Sequence, residues 1–96
     1  MNSISPQNFL KMLSNNVLNI IDIRNNYYFN KKHLPNSINI NENILLKAPY
    51  KYITKDETYF IICSKGISSK KVSNYLNSIG YKTISIKGGF SSLNFT

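Results

Sequence analysis

Apolar and polar positions follow two different periods along this chain, and the two periods alternate. Four short apolar or alternating runs predict β-strands, at residues 17–22, 37–40, 59–62 and 83–86. The segments between them have helical features. Ser5-Pro6 is a helix-start signal, and Gly80 follows the last predicted helix as a C-terminal glycine does. Strands that alternate with helices predict an α/β fold, with a mostly parallel central sheet and helices on both faces.

A loop between the third strand and the last helix holds the only thiol of the chain. The apolar run Tyr59–Ile62 precedes this loop. An amphipathic segment follows it, in which four apolar side chains have the spacing of one helix face: Val72, Tyr75, Leu76 and Ile79. Cys63 lies just before the N-terminus of that helix, where the helix dipole and free N–H groups favour an anion. The residues alone leave two interpretations open, a nucleophilic thiolate or a buried thiol that completes a strand.

A second polar pair follows the first apolar strand. Asp22 and Arg24 come at the end of a run that includes Ile20 and Ile21. The sites of α/β sheets form outside the carboxyl ends of the strands, so we expect Asp22 and Cys63 to share one edge of the sheet. Two interpretations remain for the pair. Arg24 binds an anionic substrate, or Asp22 pairs with Arg24 and closes the strand end.

Composition narrows the class of protein. Ninety-six residues predict one compact domain over residues 1–96. A single cysteine excludes an internal disulfide and a multi-cysteine metal site, and no cofactor is predicted. The first residues do not resemble a signal peptide, and no apolar run reaches the ~20 residues of a membrane span. We therefore expect a cytoplasmic protein with no membrane partner, in which the thiol stays reduced.

The net charge of +8 is large for a chain of this length. Nucleic-acid binding is the first interpretation of such a charge. The lysines are scattered, however, and no basic stripe with interleaved aromatic residues is present, so no nucleic-acid partner is predicted. The charge is expected to act locally, because it favours small anionic substrates near Cys63.

Three stretches together resemble the rhodanese family, in its single-domain thiosulfate sulfurtransferase type. Residues 21–24 (IDIR) and 33–40 (HLPNSINI) resemble the family's Asp-Val-Arg and His-Ile-Pro-Gly-Ala-x-Asn-Ile elements. Residues 63–69 (CSKGISS) resemble its Cys-x-x-Gly-x-Arg-Ser loop. Residues 80–81 (GY) and 86–90 (IKGGF) resemble its Gly-Tyr and Gly-Gly-Phe elements. The ordered set covers nearly the whole chain.

The resemblance implies a three-layer rhodanese-like fold and an enzyme that transfers sulfur through its cysteine. A small anionic donor, such as thiosulfate or a persulfide, would pass a sulfane sulfur to Cys63, the catalytic residue. Cyanide or a thiol, including one on a protein, would then accept it. The thiolate is the attacking species in such chemistry. Substrate-binding residues are expected in the loop and at the strand end: Ser64, Lys65, Gly66, Ile67, Ser68, Ser69 and Arg24. The loop N–H groups are expected to converge on one point, with Gly66 at positive φ.

Two features outside the loop have structural interpretations. The aromatic cluster Tyr27-Tyr28-Phe29 is expected in the core and in the wall of the pocket. His33 is a general base by residue type. In the family pattern, however, the matching histidine belongs to a turn, so we expect a structural hydrogen bond there.

One departure from the family pattern keeps other functions open. Ser68 stands where the family loop has its arginine, so a fixed cation for the donor is missing unless Lys65 or a neighbouring lysine supplies it. A non-catalytic rhodanese-like module that binds a partner or senses redox state is the main alternative. A phosphatase or arsenate reductase on a related scaffold needs arginine one position later, at Ser69, and lacks that cation here.

Overall fold

The chain folds around a five-stranded sheet within residues 3–94, the part that this computed structural model describes. The strands are β1 (Ser3–Ile4), β2 (Asn19–Asp22), β3 (Ser37–Asn39), β4 (Thr58–Ile62) and β5 (Lys82–Ile86). They lie in the order β1-β5-β4-β2-β3, and every neighbouring pair runs parallel. The predicted α/β class with a parallel central sheet is therefore confirmed.

Helices connect the strands of this sheet. The α-helices are α1 (Pro6–Asn15), α2 (Asn26–Lys31), α3 (Glu42–Lys47) and α4 (Ile67–Ser78), and short 3-10 helices cover Pro49–Lys51 and Phe90–Ser92. The predicted cap at Ser5 is present, since its side chain accepts a hydrogen bond from the N–H of Asn8. Such a cap satisfies one of the free N–H groups in the first turn of a helix. No helix within residues 3–94 is both long enough and apolar enough to span a bilayer.

Two apolar cores lie on opposite faces of the sheet. In β4, Tyr59 and Ile61 belong to the core that α3 and α4 cover, whereas Phe60 and Ile62 belong to the core that α1 covers. Successive strand residues point to opposite faces, and both faces of this strand are buried. The strand therefore needs apolar side chains at consecutive positions. The predicted three-layer arrangement is confirmed.

The buried face of α4 differs from the prediction. Val72 and Leu76 are buried, but Tyr75 and Ile79 remain 48% and 39% exposed. Their places in the interior are taken by two serines that lie further towards the N-terminus of the helix, Ser69 and Ser73. The serines continue the same spacing of three and four residues in the N-terminal direction. The apolar pattern alone therefore gave the correct helix but placed its buried face too far towards the C-terminus.

One strand of the sheet was not predicted, and one predicted strand begins later than expected. Ser3–Ile4 pairs with β5 as an edge strand, although two residues are too few to show a strand period. The strand predicted from Val17 begins at Asn19, and Val17 itself is 90% exposed. The sheet thus gains a short edge strand that the residue pattern does not reveal.

The aromatic cluster in α2 is mainly at the surface, so its predicted place in the core is wrong for two residues. Tyr27 and Tyr28 are 58% and 55% exposed. Phe29 is partly buried and stacks on the His33 ring, with 3.8 Å between the ring centroids. His33 Nδ1 lies 2.7 Å from the carbonyl oxygen of Phe29, which is the structural hydrogen bond expected for this turn. The short helix α2 buries none of its side chains fully, so the whole helix lies at the edge of the core.

Candidate active site

Cys63 lies between the end of β4 and the start of α4, and its side chain is almost fully buried. Its Sγ accepts hydrogen bonds from the N–H groups of Gly66, at 3.1 Å, and Ser69, at 3.3 Å. Gly66 turns the chain into the helix with a φ of +89°, as expected. A Cβ at this position would lie 2.7 Å from the backbone nitrogen of Gly88. The glycine therefore allows both the turn and the close approach of a second loop.

Two buried hydroxyl groups lie behind the sulfur atom. Ser69 Oγ is 3.3 Å from Cys63 Sγ, and Ser85 Oγ in β5 is 2.7 Å from Ser69 Oγ. Both serines are inaccessible to solvent. The inner side of the sulfur thus contacts polar groups, although the surrounding core is apolar.

A cavity of about 360 Å³ opens beside Cys63, a volume within the range of small-molecule sites. The residues that line it are Ile23, Arg24, Glu42, Cys63, Ser64, Lys65, Ile67 and Ser68. Five of the seven expected substrate-binding residues are thereby brought to one cavity. The other two, Gly66 and Ser69, contact the sulfur through their N–H groups.

The charges around this cavity have both signs. Arg24 and Lys65 are cationic, and Glu42 at the start of α3 is anionic. The N-terminus of the 12-residue helix α4 adds partial positive charge on the same side. Lys70 and Lys71 are the lysines that follow the loop at the start of α4, and neither lines the cavity. Within residues 3–94, no three His, Cys, Asp or Glu side chains are grouped so as to hold a metal ion.

Asp22 and Arg24 form a buried ion pair at the wall of the cavity. Arg24 Nη2 lies 2.8 Å from Asp22 Oδ2, and the N–H of Arg24 donates to Asp22 Oδ1 at 3.0 Å. Arg24 Nη2 also donates to the carbonyl oxygen of Lys32, and the guanidinium lies 3.8 Å from the centroid of the Phe90 ring. The structural interpretation of the pair is therefore confirmed. Substrate binding by Arg24 stays a prediction.

The turn after β5 holds the cysteine loop from the other side. The N–H of Phe90 donates to the carbonyl oxygen of Cys63 at 2.7 Å, and the N–H of Ser91 donates to that of Ser64 at 3.0 Å. Gly89 packs directly against the same peptide units with a φ of +63°. Two loops distant in sequence therefore fix the backbone around Cys63 together.

Three residues of this site were not predicted from the sequence. Glu42 and Ile23 line the cavity, and Ser85 contacts Ser69. One feature of the sequence indicates that Ser85 is buried and hydrogen-bonded. A polar residue in a strand with neighbours on both sides and helices on both faces must be buried and hydrogen-bonded. No feature of the sequence indicates the place of Glu42, because only the packing of α3 brings the first turn of that helix to the cavity.

Comparison with known proteins decides the family. The family model of the rhodanese-like domain matches residues 5–94. The chain belongs to the rhodanese-like domain family. This membership and the names of its relatives confirm the predicted enzyme class, a sulfurtransferase.

Known proteins similar to this rhodanese-like domain include two small enzymes and one protein of solved structure. Thiosulfate sulfurtransferase GlpE of Tolumonas auensis is 39% identical over 72 residues, which are 74% of this chain and 67% of that protein. GlpE of Shewanella oneidensis is 29% identical and is matched over 93% of this chain and 88% of that protein. The crystal structure of SSP1007 from Staphylococcus saprophyticus superimposes with a TM-score of 0.90 at 27% identity, and covers 98% of this chain and 94% of that one.

Proposed function

We propose that this rhodanese-like domain carries sulfane sulfur as a persulfide on Cys63, between a small anionic donor and a thiol or cyanide acceptor. The observation that carries the proposal is the position of Sγ, which accepts two N–H groups at 3.1 and 3.3 Å beside a cavity. Donors fixed around a sulfur stabilise negative charge on it without reorganisation. We also propose the cytoplasm as the compartment, because its reducing conditions keep such a thiol free.

The proposed reaction has two transfers with thiosulfate as the donor. The thiolate of Cys63 attacks the outer sulfur of thiosulfate, the bond between the two donor sulfurs breaks, and sulfite leaves with the electron pair. Cyanide then attacks the outer sulfur of the persulfide, so that thiocyanate leaves and the thiolate returns. The N–H groups of Ile67 and Ser68 lie in the first turn of α4, where N–H groups have no partner within the helix. They are the groups we propose for the donor oxygens or the outer sulfur.

A mass measurement on the intact protein tests the persulfide. The reduced protein treated with thiosulfate should gain about 32 Da, one sulfur atom, and cyanide should remove it. Cys63 is the only cysteine, so the gain can lie on no other thiol. Protein alkylated beforehand with iodoacetamide is the control and should not gain sulfur. If neither thiosulfate nor a small-molecule persulfide adds sulfur, the domain is not a carrier.

A non-catalytic module is the second candidate, and one observation favours it. Ser68 lines the cavity at the position of the family's loop arginine, and the remaining arginine, Arg24, is engaged by Asp22. A donor anion therefore meets the exposed Lys65, the anion Glu42 and an arginine whose charge Asp22 already compensates. Binding of a redox partner without sulfur transfer would fit this weaker anion site. The mass measurement separates the two candidates.

Lys65 and Glu42 should change kcat/KM for a dianionic donor in opposite directions. Lys65→Ala is expected to lower kcat/KM for thiosulfate about fivefold, and Glu42→Gln to raise it about threefold, since exposed charge pairs contribute ~1 kcal/mol or less. Steady-state kinetics at low and high salt would measure both effects, and added salt should reduce them. Lys70→Ala is the control, because it removes the same charge from α4 outside the cavity. Equal losses from Lys65→Ala and Lys70→Ala would contradict a local contact.

A further inference from the structure

The hydroxyl groups of Ser69 and Ser85 form a row behind the sulfur atom of Cys63. Ser85 Oγ has one hydrogen-bond partner among the described residues, Ser69 Oγ at 2.7 Å. Ser69 Oγ in turn lies 3.3 Å from Cys63 Sγ. The two hydroxyl groups are closed to solvent, with both serines at 1% exposure or less, whereas the sulfur borders the cavity. Any hydroxyl hydrogen in this row must therefore find its acceptor within the row or stay unsatisfied.

We propose that Ser85 is a positioning residue that acts through Ser69 to favour the thiolate form of Cys63. This inference rests on the proposed nucleophilic role of that cysteine. The thiol form has two arrangements. Either the S–H points into the cavity and Ser69 donates to the neutral sulfur, which is a weak acceptor, or the S–H donates to Ser69 Oγ and the Ser69 hydroxyl donates to Ser85 Oγ. In the second arrangement, the hydroxyl hydrogen of Ser85 has no acceptor. A buried donor without an acceptor is costly.

Ionisation of the thiol removes the weak acceptor of the first arrangement and the missing acceptor of the second. The thiol proton leaves through the cavity to solvent, and each hydroxyl keeps its own proton but rotates. Ser69 then donates to the thiolate, and Ser85 donates to Ser69 Oγ. Every donor in the row now has an acceptor, and the Ser85 bond polarises the Ser69 hydroxyl towards the sulfur. Hydrogen bonds to a charged acceptor are also stronger than those between neutral groups.

Ser85 has a second effect, which is to hold the Ser69 side chain in place. A serine within a helix can turn its hydroxyl towards a backbone carbonyl of the preceding turn instead. Ser85 opposes this rotation from a fixed position, since its residue pairs with Ile61 of β4 in the sheet. Without Ser85, the Ser69 hydroxyl is free to leave the sulfur.

Thiol alkylation as a function of pH tests the proposal without any sulfur donor. Iodoacetamide reacts with the thiolate, so the pH midpoint of its rate reports ionisation. Ser85→Ala should raise this midpoint by about 0.5–1 pH unit and Ser69→Ala by about 1–2, a three- to hundredfold loss of thiolate. The charged groups facing Cys63 are Arg24, Glu42 and Lys65 on the cavity side, and they are the same in every variant.

Two further variants make the test specific. Ser73→Ala removes another fully buried hydroxyl from α4, one without a hydrogen-bond partner among residues 3–94, and should leave the midpoint unchanged. The double variant Ser69→Ala/Ser85→Ala should match Ser69→Ala alone, because Ser85 acts only through Ser69. A wild-type midpoint for Ser85→Ala, or additive shifts in the double variant, would overturn the inference. Since alkylation needs no donor, such a result would leave the persulfide proposal standing, and a failed sulfur uptake would leave the midpoints interpretable.

Discussion

Replacing Gly89 by alanine is expected to lower the free energy of unfolding by about 4 kcal/mol, through backbone strain and overpacking together. Gly89 has φ +63° and ψ −159°, a region that is essentially restricted to glycine. An added Cβ would clash with the carbonyl oxygen of Cys63 and would lie 2.6 Å from the carbonyl carbon of Ser64. The backbone cannot move away easily, because the N–H of Phe90 donates to that same carbonyl of Cys63.

Urea unfolding followed by circular dichroism would measure this loss, and Gly80→Ala is the matched control. Gly80 also has a positive φ, of +103°, but its nearest neighbours are atoms at the end of the Lys55 side chain, at 3.3 Å. That side chain can move, so Gly80→Ala should cost only the backbone strain, about 1–2 kcal/mol. The fraction of Gly89→Ala that still folds should also lose sulfur transfer, whereas Gly80→Ala should retain it. Equal losses of stability in the two variants would show that the contact with the cysteine loop contributes nothing.

The sequence predicted those parts of the molecule that follow from local rules or from recognisable motifs. The run 59–62 carries no polar residue because both faces of β4 are covered, and this alone indicates a buried strand in an α/β sheet. Cys63 and Gly66 were recognised because a thiol and a turn glycine lie between a strand and a helix. Asp22 was placed at the same edge by the rule on strand ends. Each of these inferences needs only a few neighbouring residues.

The features that were missed depend on how elements pack. Periodicity gives the spacing of a helix face but not its centre when serines continue the pattern. This is why Ser69 and Ser73 were not placed in the interior of α4. Glu42 reaches the cavity through the position of α3, which nothing in its own segment encodes. Tyr27 and Tyr28 were expected in the core because they are large aromatic residues, but α2 lies at the periphery and leaves them exposed.

Replacing Asp22 by asparagine is expected to lower the free energy of unfolding by about 3 kcal/mol, because it leaves the charge of Arg24 buried without a counter-ion. Asn keeps the shape of Asp22 and one acceptor oxygen, so the loss reports the charge and the hydrogen bonds rather than a cavity. Asp22 is fully buried and receives both the N–H and the guanidinium of Arg24. Urea unfolding would measure the loss. Asp56→Asn removes the same charge from an exposed turn and should change stability by about 0.5 kcal/mol or less.

A double variant separates the ion pair from the cost of the unpaired charge. Asp22→Asn/Arg24→Met removes both charges, and replacing a buried pair by neutral groups is often nearly neutral. It should therefore recover at least half of the stability that Asp22→Asn loses, although the bond from Arg24 to the Lys32 carbonyl and the stacking on Phe90 are absent. If the double variant is instead less stable than Asp22→Asn, Arg24 stabilises the fold mainly through Phe90 and Lys32. The pair with Asp22 would then be the weaker part of the wall that Arg24 forms beside Cys63.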